Sequence, residues 1–165
     1  MMLALPAPQA QAAPAPPAPV PVKALYGWGY EGPEGEGTGL LSLFLDPATG
    51  RVVMEIQGLG ERLLLLEGDR AAGYRVQVPR QKLDARAATL AGLPLPFLPQ
   101  IPSPGALLAL LRQGAGPGVT IQKQDALGPV KLHWTGKDPQ GRTEQVWLTR
   151  KRWQPLAAAG TQASE

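Results

Sequence analysis

The sequence predicts a mainly β chain: an antiparallel sheet of about eight strands, with one short apolar helix inserted before the last three. Three observations lead there. Short apolar segments recur with period-two alternation, separated by turns rich in glycine and proline. The 165 residues include 20 glycines and 19 prolines, which interrupt helices too often for a helical bundle. Only Ala106-Leu107-Leu108-Ala109-Leu110-Leu111-Arg112 carries a convincing helical pattern.

Residues 25–31 set Tyr26, Trp28 and Tyr30 on one face, with Gly27 and Gly29 between them. Residues 38–45 form a strongly apolar strand. Asp46-Pro47-Ala48-Thr49-Gly50 turns it, because proline presets one φ and glycine supplies a positive one. Residues 51–57 return with Val52, Met54 and Ile56 on one face and Arg51, Val53 and Glu55 on the other. Leu63-Leu64-Leu65-Leu66 is too short for a helix and is bounded by turns, so it reads as a strand buried on both faces. Residues 74–78 alternate and pair back, whereas 81–90 are ambiguous. Leu93-Pro94-Leu95-Pro96-Phe97-Leu98-Pro99 is apolar but cannot be regular structure, since its prolines lack amide donors. Ser103-Pro104 suits an N-cap and first helical position, and Gly114 ends the helix with Arg112 near its negative pole. Three strands follow, at residues 119–124, 130–135 and 143–153. A single sheet needs a cover for its apolar face, and the proline-rich segment with the Leu-rich helix supplies it.

The ends are different in kind. Residues 1–22 hold 7 prolines and 7 alanines with no charge before Lys23, and read as an extended tether. Ala10-Gln11-Ala12 has the small-x-small form of a signal-peptidase site, but a basic start and a full apolar stretch are missing. The arm is either a low-complexity linker or the end of an export signal that begins upstream. Residues 157–165 read as a disordered tail, leaving 23–156 as the folded domain. Hydrophobic residues make up 44 % of the chain, enough for a core. No stretch is apolar for long enough to span a membrane as a helix.

Composition narrows the chemistry. There is no cysteine, which excludes disulfides, thiolate metal sites and cysteine nucleophiles, and one histidine excludes a multi-histidine metal centre. His133 alternates with Leu132 and Trp134, so it faces away from Trp134 as a surface or packing residue, without a partner to orient it as a base. Glu34 and Glu36 sit in a solvated turn. The glycines between Gly27 and Gly39 precede no helix that would hold a phosphate. The residues therefore offer no catalytic, cofactor or metal site. Charge is uneven: residues 31–69 carry eight acids and two bases, and 70–152 carry thirteen bases and four acids. A basic patch toward an anionic membrane is one use of that imbalance. An oligonucleotide-binding barrel is the alternative, with Trp134, Trp147 and Trp153 near bases. Scattered solvated charges on strand faces are the plainest reading, so nucleic acid is not the expected partner.

The order of parts resembles the LolA/LolB superfamily of bacterial lipoprotein carriers. The likeness rests on the hairpin at 38–57, on Leu63-Leu64-Leu65-Leu66-Glu67-Gly68-Asp69-Arg70 running to Tyr74-Arg75-Val76, and on Gly92-Leu93-Pro94-Leu95-Pro96 leading into Leu107-Leu108-Ala109-Leu110-Leu111. Val146-Trp147-Leu148 to Trp153 resembles the closing strand. The resemblance implies a curved, open half-barrel of about eight strands covered by a short apolar helical lid, with an apolar cavity between them. It implies a monomer of the periplasm or cell envelope that binds lipid acyl chains or lipoproteins without catalysis or cofactor. Leu41, Leu43, Leu45, Val52, Met54, Ile56, Leu63 and Leu65 would line the sheet side. Leu95, Phe97, Leu98, Ile101, Leu107, Leu108 and Leu111 would form the lid, and Trp28 and Trp147 would rim the mouth. The same residues in an ordinary solid core would suit a structural or adaptor domain for a protein partner. Two features depart from the family: residues 38–45 lack the arginine that bonds to the lid in the carrier, and there is no cysteine to anchor a receptor by lipid.

Overall fold

The computed structural model describes residues 20–33, 35–58, 60–138 and 140–156. The expectations for the arm before residue 20, the tail from 157 and Glu34 lie outside them. Nine antiparallel strands form one sheet: β1 (Val22–Gly32), β2 (Gly35–Asp46), β3 (Arg51–Gly58), β4 (Glu61–Asp69), β5 (Gly73–Val78), β6 (Leu83–Ala87), β7 (Val119–Asp125), β8 (Gly128–Lys137) and β9 (Thr143–Pro155). Their order is β6-β5-β4-β3-β2-β1-β9-β8-β7, so the sheet is open, with β6 and β7 as its edges. The mainly β, antiparallel fold class is as expected. The extra strand is β6, from the ambiguous segment. It pairs with β5 and is held there by the Arg75–Asp84 ion pair at 2.6 Å.

Local chemistry explains the joints. In the β2–β3 turn the Gly50 amide donates to the Asp46 carbonyl at 2.9 Å, with Gly50 at φ +72°. At Gly39 the chains approach so closely that a Cβ would lie 2.0 Å from the Gln57 carbonyl oxygen. The helix α1 (Pro104–Gln113) is capped as its sequence requires. Ser103 accepts from the Ala106 amide at 3.1 Å, and Gly114 closes the last turn at φ +67°.

The core lies on one face of the sheet. Strand register brings Leu45 to Val52, Leu43 to Met54 and Leu41 to Ile56, all buried. Tyr26, Trp28 and Tyr30 share that face, and the Trp28 ring lies against Gly37, where a Cβ would meet it at 3.7 Å. Residues 90–111 cover the face, burying Leu90, Leu93, Leu95, Phe97, Leu98, Ile101, Leu107, Leu110 and Leu111.

Two expected positions, Leu65 and Trp147, are corrected, and the buried stripe of the helix is refined. The β3–β4 register shifts between Ile56 and Gln57, so Leu64 and Leu66 point inward and are fully buried. Leu65 pairs with Glu55 and Gln77 on the outer face and is only half-buried. A bulge inserts one residue, and with a side-chain period of two that reverses every later facing. Leu63, at the shift, remains buried over Gly58. On α1 the buried stripe runs through Leu107, Leu110 and Leu111, while Leu108 is half-buried to one side. Trp147 is on the outer face, opposite His133.

Candidate functional site

Three features meet at the covered face. The first is the seam between lid and sheet. Leu41, Met54 and Leu148 from the strands meet Leu98, Ile101, Leu107, Leu110 and Leu111 from the cover, and the space left is about 10 Å³. That is room for about one water, so the lid packs flush. The hollow implied by the resemblance is closed in this arrangement. Leu43, Leu45, Val52, Ile56, Leu63, Leu95 and Phe97 are buried around it as core.

The second feature is a groove of about 310 Å³ that borders the seam. Ile101, Leu107 and Leu110 line both spaces, and Trp134 and Pro117 form the far wall. Lys137 stands at its edge. Gly136 leaves space for the Trp134 ring, which a Cβ there would meet at 2.0 Å.

The third is the attachment of the lid at Phe97. Its carbonyl accepts from the Trp28 indole at 3.0 Å, and its ring meets Tyr30 edge-on at 5.0 Å between centroids. Phe97 has φ +70°, a left-handed conformation costly for a bulky residue, so surrounding contacts must hold it there. Trp28 therefore lies beneath the lid as an anchor, buried at 3 % exposure, and does not rim a mouth. No backbone–backbone hydrogen bond joins residues 94–103 to the sheet among the described residues. Apolar contact and the Phe97 attachment hold this segment.

Beside Phe97 opens a polar cleft of about 380 Å³, lined by Tyr30, Glu144, Asp138, Arg142, Pro94 and Pro96 among others. Glu144 is 1 % exposed, and its Oε1 has no hydrogen-bond partner among the described residues. Burial pushes its carboxyl up to about 7. The Tyr30 hydroxyl opposes that, nearby Asp138 adds to it, and the Phe97 amide and Arg142 oppose it further. Asp138 is different. Its Oδ1 accepts from the Gln140 and Arg142 amides at 2.9 and 2.8 Å, and its Oδ2 from Arg142 Nε at 2.9 Å. Burial raises its carboxyl, but these donors hold it below the usual range. Gly32 has to be small here, because a Cβ would fall 2.5 Å from the Tyr30 hydroxyl oxygen and 2.9 Å from Glu144 Cβ.

Sequence reasoning missed this cleft. Glu144 sits between Thr143 and Gln145 in a polar run, and its residue type does not mark it as inward. The signal was strand parity: it alternates with Val146 and Leu148, both core residues.

The outer face carries most of the remaining expectations. His133 stacks on Trp147 at 4.9 Å between centroids and contacts Gln145 Oε1 at 2.7 Å through Nε2. Gly29 lies beneath Trp147. Lys23, Lys123, Lys151 and Arg152 are exposed, and Lys131 is half-buried nearby. Trp134 is buried on the opposite face, and Trp153 packs against the core. The three late tryptophans thus do not form one platform. No group of three metal-ligating side chains occurs among the described residues. Compared with known protein families and with curated proteins, the chain matches none.

Proposed function

We propose that this protein binds lipid acyl chains, free or attached to lipoproteins, between its sheet and its lid, as a non-catalytic carrier or related lipid-binding protein of the cell envelope. The supporting observation is the pair of adjoining spaces: a closed apolar seam and an open groove that share Ile101, Leu107 and Leu110. An acyl chain enters along the groove and displaces the lid from the seam. The lid suits this, because among the described residues no backbone–backbone hydrogen bond ties its proline segment to the sheet. Burial of a chain gains ~0.8 kcal/mol per methylene, which offsets the cost of parting the seam. The groove is at the lower end of the size range for small-molecule sites, as fits a site for one chain.

Membrane contact belongs to the same reading. The outer face joins the exposed Lys23, Lys123, Lys151 and Arg152 with Leu40, 45 % exposed beside Gly27. Such a surface is drawn to anionic lipid headgroups.

The chain has no cysteine, which makes a labelling test clean. Cysteines at Pro102 and Thr135, exposed residues that both line the groove, joined by a disulfide-containing bismaleimide tie the lid to the sheet. Wild-type protein takes up a fluorescent fatty acid, and the tied protein loses uptake until the linker is cleaved. A wild-type protein that takes up no acyl probe, or a tied protein that takes it up equally, overturns the reading. Capture of a stoichiometric protein partner by a protein that takes up no lipid favours an adaptor domain instead.

A further inference from the structure

The polar cleft beside Phe97 has a partly satisfied buried carboxylate for a floor. Buried polar groups are almost always hydrogen-bonded, and an unmet carboxylate oxygen is costly. Asp138 shows what a structural carboxylate looks like in the same place: both of its oxygens are engaged. Glu144, 1 % exposed, lines the cleft, and its Oε1 is enclosed and unpartnered among the described residues, so a head group reaches it by shifting the cleft wall. The charged groups around it come from the β8–β9 turn and β9: Asp138, Arg142 and Glu144 itself, with Tyr30 contributed by β1. Among the described lining residues, two acids stand against one base, and Asp138 is paired with Arg142, which leaves Glu144 as the acid without a counter-charge of its own. Its volume of about 380 Å³ exceeds what a single water needs.

The cleft also adjoins the apolar site. Pro94 and Pro96 line it, and Leu98, two residues further on, lines the seam. Two residues of chain span at most ~7 Å, so an amphiphile can have its head in one space and its chain in the other.

We propose that the cleft is a head-group site for a primary ammonium on an apolar chain, with Glu144 Oε1 accepting its N–H. This rests on the acyl-chain reading and names the class of ligand. An ammonium supplies the missing donor and the counter-charge. A quaternary ammonium has charge without an N–H, and an alcohol has a donor without charge. Each satisfies half of the requirement.

The test is a binding series on the full chain with dodecylammonium, dodecyltrimethylammonium, dodecanol and dodecanoate, repeated with Glu144→Gln. Wild type is expected to prefer dodecylammonium over dodecanol by about ten- to a hundredfold, the range of a charge-assisted hydrogen bond. The glutamine variant is expected to retain dodecanol binding and lose the preference. A phosphoethanolamine lysolipid and an S-acylated dipeptide with a free N-terminus then distinguish the sources of the ammonium, a lipid head or a lipopeptide amine. If all four probes bind wild type alike, or the preference survives in Glu144→Gln, the head-group site is overturned while the acyl-chain reading stands. If no probe binds, both fall. The wild-type series decides the matter even if the variant fails to fold.

Discussion

Replacing Glu144 by glutamine should change how stability depends on pH. The carboxyl is 1 % exposed, and burial raises it from 4.5 to about 7 in the folded protein. Between those values the folded protein keeps a proton that the unfolded chain has released. Stability is therefore full below pH ~4.5, falls as pH rises through that window, and levels off above ~7. The whole step is about 3 kcal/mol. Asp84, Asp125 and Asp138 are held below their ordinary value, so their contributions are lost at more acidic pH, outside this window. Glutamine keeps the shape and cannot ionise. Urea denaturation of both proteins from pH 4.5 to 8 should show wild type losing about 3 kcal/mol relative to Glu144→Gln. Parallel stability curves would refute the reasoning: either the carboxylate is hydrated, or its neighbours stabilise the charge as well as water does.

Three further outcomes follow from the packing. Leu107→Ala opens the sealed seam; it should cost ~2–5 kcal/mol in denaturation and raise the binding of an apolar dye, since the new space is lined by leucine and isoleucine. Trp28→Phe removes the indole donor and leaves the Phe97 carbonyl unpaired. It should cost ~1–3 kcal/mol, and hydrogen exchange should accelerate in residues 93–103 before other segments. Gly39→Ala puts a Cβ 2.0 Å from the Gln57 carbonyl oxygen, so a loss above ~2 kcal/mol and a lowered thermal midpoint are expected.

Much of the fold was legible because its rules are local. The Asp46–Gly50 turn, the Ser103 cap and the Gly114 stop each depend on a few adjacent residues, and each forms as its sequence requires. Alternation placed Val52, Met54 and Ile56 inward and His133 opposite Trp134. The misplaced residues have separate causes. Leu65 follows a bulge that no residue type announces, and parity beyond a bulge depends on the partner strand. Trp147 was assigned by analogy to a rim, although its alternation with Val146 and Leu148 already put it outside. Leu110 was left out of the lid, where it is more deeply buried than Leu108, because a uniformly apolar helix carries little information about which stripe faces inward.

By itself, then, the sequence determined a mainly β chain with one short helix and an apolar, proline-broken cover, because turns, caps and alternation act between near neighbours. Tertiary structure alone decided that the cover closes flush on the sheet. It also strained Phe97 over the Trp28 indole and buried Glu144 beside Asp138. Those features join residues as far apart as Trp28 and Phe97, or Tyr30 and Glu144. Burial and hydrogen bonding at such separations depend on how the elements pack, which no local pattern records.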